Sequence, residues 1–138
     1  MHWIHFAVIA MISHSALMII LKEVTNSGLQ TEIINFYFLL FTTIVIFCFA
    51  ATRNVRFQIP GKFVVWFMVL AIIAFFYNYF AMKAISAAPN PGYVVGILSC
   101  NIIIITIVGS LLFGNPLPTT KIVGIALMVC GSLLITMV

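Results

Sequence analysis

The sequence predicts an all-α membrane protein, a bundle of five transmembrane helices. Two observations carry this. Of the 138 residues, 64% are hydrophobic and only 6% are charged, whereas a soluble domain carries about a quarter charged residues. The apolar residues also gather into five runs, at about 3–21, 33–51, 63–82, 93–113 and 122–138. A run of ~20 apolar residues matches a ~30 Å hydrocarbon core at ~1.5 Å rise per residue. The connections are short and leave no room for a soluble domain, so residues 1–138 are expected to form one transmembrane domain. The net charge of +4 does not point to nucleic acid, because the six cations are spread among loops with no dense patch. The expected surroundings are a lipid bilayer, where loop cations set topology and meet anionic headgroups.

The first span reads as retained rather than cleaved. It lacks a cationic leader and a small-x-small cleavage site, and Lys22-Glu23 follows it. At ~100° per residue, His14 shares a face with Ala7, Ala10, Met11, Leu17 and Met18, opposite Ile9, Ile12, Ile19 and Ile20. Small residues suit helix contact and bulky aliphatics suit lipid, so His14 is placed toward the bundle near mid-depth. The next loop holds both carboxylates of the chain, Glu23 and Glu32, and turns at Asn26-Ser27-Gly28. In the second span, the Thr42 and Thr43 hydroxyls can bond to their own helix carbonyls. Arg53, Arg56 and Lys62 follow as orientation signals.

The third span is rich in aromatic residues and ends on Tyr77, Asn78, Tyr79 and Lys83. The tyrosines read as interface anchors and Lys83 as a side chain reaching for headgroups. Pro89 and Pro91 interrupt the helix beyond it. In the fourth span Gly92, Gly96, Ser99, Thr106 and Ser110 fall on one face, with Asn101 opposite. Gly124 and Gly131 share a face of the fifth span. Gly92, Gly96, Gly124 and Gly131 are therefore expected to pack helices closely. With the N-terminus cytoplasmic, the interior loops hold Arg53, Arg56, Lys62 and Lys121, against Lys22 and Lys83 outside. That bias favours N-terminus-in by a margin small enough to permit both orientations.

Three side chains are candidate substrate contacts: His14, Asn78 and Asn101. An ionisable group within a bilayer is costly, which marks His14 as a functional candidate, and its unperturbed pKa of ~6.5 suits proton coupling or a pH-sensitive gate. The alternative is a neutral His hydrogen-bonded to another helix. Asn101 can orient a polar substrate group or join two helices, and Asn78 can line a pocket with Tyr77 and Tyr79. No enzyme constellation is visible, since the two carboxylates share one loop, and no phosphate loop or metal motif occurs. No cofactor or metal is expected. Cys48, Cys100 and Cys130 fall inside spans without ligand spacing and read as packing residues.

The run FFYNYFAMKAISAAPNPGYVVGI, followed by SCNIIIITIVGSLLFGNPLPTTKIVGIALMVCGSLLI, resembles the drug/metabolite transporter superfamily. More narrowly, it is similar to a single EamA-type five-helix repeat. The resemblance covers essentially the whole chain and is clearest over residues 75–136. Members commonly carry Glu after the Gly between spans four and five, whereas Gly114 is followed here by Asn115. The related small multidrug resistance proteins have four spans and a membrane-embedded Glu in the first, which this chain lacks. The resemblance implies a half-transporter that works as an inverted homodimer or with a partner half. Such a pair can place a shared site at the midplane and rock about it.

Two readings follow. One is a transporter subunit moving a small metabolite or drug-like solute, with His14, Asn78 and Asn101 lining the route. The other is a non-transporting accessory or assembly subunit that packs its small-residue faces on a larger partner.

Overall fold

The computed structural model describes residues 3–114 and 116–137, so Met1, His2, Asn115 and Val138 lie outside the described residues. Its helices are α1 (Trp3–Thr25), α2 (Thr31–Thr52), α3 (Val64–Ala87), α4 (Pro91–Ser99), α5 (Asn101–Phe113) and α6 (Thr119–Thr136). A 3-10 turn, Gly61–Phe63, leads into α3. Four segments, Trp3–Thr25, Thr31–Thr52, Gly61–Ala87 and Pro91–Phe113, are long and apolar enough to cross a membrane. The fifth apolar helix, Thr119–Ile135, is shorter. The protein is thus all-helical, and each of the five expected spans is a helical segment.

The helices overrun the apolar stretches, because hydropathy marks only the part that suits hydrocarbon. Lys22 and Lys83 both lie inside helices rather than in loops. Helix α1 stops where side chains take over its last carbonyls: Thr25 Oγ1 donates to Lys22 O at 2.8 Å and Ser27 Oγ to Val24 O at 2.6 Å. Gly28 then takes φ +80°, a left-handed turn that favours glycine. Helix α3 runs to Ala87, just short of Ala88-Pro89, where the residue before proline disfavours helix.

The chain divides into two compact units, Met1–Ala87 and Ala88–Val138. In the first, α3 packs against both α1 and α2. Its buried apolar residues are Met18 and Leu21 of α1, Ile34 of α2, and Met82 and Ile85 of α3. All of them sit where α1 ends, α2 begins and α3 ends, so the three helices are gripped at that end. The opposite ends are open, with Phe6, Phe49 and Trp66 exposed.

In the second unit α4 packs along α6, whereas α5 makes little contact with α6. Pro91 begins a helix instead of only ending one. Asn90 is the N-cap, its Oδ1 accepting the Gly92 N–H at 2.8 Å, and Pro91 occupies the first turn, where its missing N–H costs nothing. The fourth span, expected to be continuous, is broken at Cys100. Ser99 Oγ donates to Val95 O at 2.8 Å and Cys100 Sγ lies 3.8 Å from Gly96 O. Around the break, backbone bonds run three residues back, from Cys100 N–H to Ile97 O and from Ile103 N–H to Cys100 O. The helix is interrupted there, and beyond the break α5 makes little contact with α6. Helix α5 ends at Gly114, with φ +65°.

Candidate functional site

His14 is half-buried on α1, and among the described residues its ring has no hydrogen-bond partner. Its neighbours Ser13 and Ser15 turn inward on their own helix, donating to Ile9 O and Met11 O. Asn78 is half-buried on α3, and its Nδ2 donates to Ala74 O at 2.8 Å. Its amide nitrogen is thus already held within its own helix. Asn101 opens α5 in the second unit and is exposed. His14 and Asn78 therefore belong to the first unit and Asn101 to the second.

The four glycines differ. A Cβ on Gly96 would lie 3.8 Å from Ser132 O, so α4 and α6 approach closely there. Gly92 faces its own cap, 3.1 Å from Asn90 Oδ1. Gly124 and Gly131 meet nothing within 4 Å.

The polar chemistry of the first unit lies elsewhere, at its gripped end. Glu32 stands in the first turn of α2, where a carboxylate complements the positive end of the helix dipole. Tyr79 of α3 donates its hydroxyl to Glu32 Oε1 at 3.1 Å. The Lys83 ammonium sits over the Tyr79 ring, 4.6 Å from its centroid, a cation–π contact. One turn beyond Glu32, Asn35 is only 4% exposed, and its Oδ1 is buried with no hydrogen-bond partner. Glu32 and Asn35 both line a groove of about 470 Å³ between α2 and α3, with Phe36, Leu39, Thr43 and Phe75 among its other walls. Thr43 adds no free donor there, since its hydroxyl is given to Leu39 O at 2.8 Å.

Lys22 grips the same end. Its Nζ donates to Ile85 O at 3.0 Å and Ser86 O at 3.1 Å. These are last-turn carbonyls of α3, left without intrahelical donors, and a cation there complements the dipole. Two further grooves are almost wholly apolar. One, of about 350 Å³, lies between α1 and α2 beside Leu17, Val24 and Tyr37. The other, of about 370 Å³, opens where α5 leaves α6, beside Ile103, Ile107 and Val129.

Sequence reasoning placed Glu32 in a surface loop and passed over Asn35. The available signal was their spacing, two polar residues one helical turn apart at the head of an apolar run. Their partner Tyr79 is 47 residues away, and no local pattern announces it.

The family model of the EamA-like transporter family matches residues 1–137. Neither a curated protein nor a solved structure matches the chain.

Proposed function

Because the chain belongs to the EamA-like transporter family, we propose that it is one half of a secondary transporter for a small metabolite or drug-like solute. In this reading it pairs with an inverted second copy or with a partner half, and its N-terminus is cytoplasmic in the favoured orientation. One observation carries the half-transporter reading. Within one chain the membrane-spanning helices leave most of their large apolar side chains uncovered, as with Ile104 at 67%, Met68 at 62% and Leu134 at 71% exposed. Lipid covers some of that surface, and a second half supplies the opposing wall that five helices lack.

His14, Asn78 and Asn101 remain our proposed contacts along the route. His14 is the best placed of them, half-buried with no polar partner among the described residues. Asn101 would serve from the second unit. Asn78 would act through its amide oxygen, since its nitrogen is engaged.

The open faces at Gly124 and Gly131 favour a second reading, an accessory subunit that packs these glycines on a larger partner. Single cysteines placed in each loop of a variant lacking Cys48, Cys100 and Cys130, labelled from either side and cross-linked, separate the two. Both orientations with a self-cross-linked pair are expected for an inverted homodimer. A single orientation with no self-cross-link would overturn the homodimer and direct the search to a partner half or a larger complex.

A further inference from the structure

We infer that the groove between α2 and α3 is a binding site for a small lipophilic amine, its ammonium held by the Glu32 carboxylate and the Asn35 amide oxygen. Three observations converge on this ligand. The first is charge. Glu32 brings a carboxylate to the groove, held as an anion by its own backbone N–H and by the Tyr79 hydroxyl. Lys83, drawn over the Tyr79 ring, is close enough to feel the Glu32 charge but does not line the groove, which leaves the groove side of the carboxylate to a ligand.

The second is the orphan acceptor. Asn35 Oδ1 is buried and unpartnered, and a buried amide oxygen normally finds a donor. The Asn35 side chain lines the groove, and a turn of its amide would bring the oxygen to a donor arriving there. An ammonium supplies several N–H groups, enough to meet Glu32 and Asn35 together. An anion would be repelled by Glu32. A divalent cation such as calcium would need about six to eight oxygen ligands, and these two side chains fall far short.

The third is the order of the walls. Along α2, at ~1.5 Å per residue, Asn35 lies about one turn deeper than Glu32, with Phe36 and Leu39 deeper again. On α3, Phe75 lies one turn from Tyr79 and is stacked on its ring. The polar groups stand at the interface end and the aromatic and aliphatic walls lead inward. That gradient fits a molecule with a charged head and an apolar body. The volume of about 470 Å³ is that of a small-molecule pocket, a class spanning roughly 300–1,000 Å³.

That the bound amine is also the cargo rests on the transporter reading above, so binding and flux are measured separately. The test uses the full chain in phosphatidylcholine nanodiscs and radiolabelled 2-phenylethylamine as the probe. Saturable binding is expected, weakened about tenfold or more in E32Q, since a hydrogen bond to a charged group contributes about 1.5–3 kcal/mol. Gln keeps an oxygen for the Tyr79 hydroxyl, so E32Q is expected to fold as the parent does. N35L is expected to weaken binding by a comparable factor while remaining folded, because it fills the same space without an unpaired acceptor. Unlabelled 2-phenylethanol, with the same body and no ammonium, should compete poorly.

Equal competition by the alcohol, or unchanged binding in both variants, would overturn the assignment. Loss of binding when phosphatidylethanolamine replaces phosphatidylcholine would give the groove to a lipid headgroup and overturn it too. Binding without uptake of the probe into proteoliposomes would leave the site standing and count against transport of this class of solute.

Discussion

Asn35 Oδ1 is a buried acceptor with no partner, and leaving such an atom unpaired costs about 1–3 kcal/mol. Asn35→Leu is therefore expected to raise thermal stability in detergent, measured by unfolding followed with circular dichroism. A fall in stability would mean that the amide is satisfied in the membrane and is structural. Lys22 makes the opposite case. Its ammonium bonds two last-turn carbonyls of α3, so Lys22→Met should destabilise the first unit by about 1–3 kcal/mol. Lys22→Arg, which keeps the charge, should recover part of that loss. Neither residue could be ranked from the sequence. Asn35, Asn78 and Asn101 are three asparagines in apolar surroundings, yet one is buried and orphaned, one is bonded within its own helix and one is exposed. Helix packing makes that distinction, and packing is not a local property.

Among the elements, the two ends of each helix behave differently. The first unit is held where α1 ends, α2 begins and α3 ends, and the other ends carry little of its packing. In the second unit α4 holds α6 and α5, beyond the break at Cys100, does not. The Gly96 contact gives a graded prediction. Gly96→Ala places its Cβ 3.8 Å from Ser132 O, an ordinary van der Waals distance, and should be tolerated. Gly96→Leu must push α4 off α6, since a larger side chain has no room between closely approaching backbones. The expected result is loss of monodisperse protein on size-exclusion chromatography for Leu and not for Ala. Gly124→Leu and Gly131→Leu meet open space within the chain. They should leave the chain folded and reduce self-cross-linking if that face joins two copies. The helix spans were legible because apolar length and turn chemistry are local. The break at Cys100 was not, since Ser99 and Cys100 suit a continuous helix as well as an interrupted one.

For the whole molecule, orientation is a matter of charge in short loops. Arg53, Arg56 and Lys62 lie together in the connection between α2 and α3, against Lys22 near the end of α1 and Lys83 near the end of α3. The double variant Arg53→Gln and Arg56→Gln should shift the population toward N-terminus-out, measured with reporter fusions at the C-terminus. An unchanged distribution would show that another feature sets topology. Lys22 is further withdrawn from that count because its ammonium is bonded to α3 carbonyls and not free for headgroups.

The sequence by itself determined the class of this protein. Composition, five apolar runs, loop charges and a family-like pattern are each read along the chain, and all point to a multi-pass EamA-like membrane protein. The tertiary structure decided where its polar chemistry gathers. Glu32 meets Tyr79 and Lys22 meets the end of α3 across tens of residues, and Asn35 is buried only in the packed first unit. Bonds between helices depend on which faces pack and at what depth. Many pairings of apolar helices satisfy the same pattern of hydropathy, and only the packed side chains select one of them.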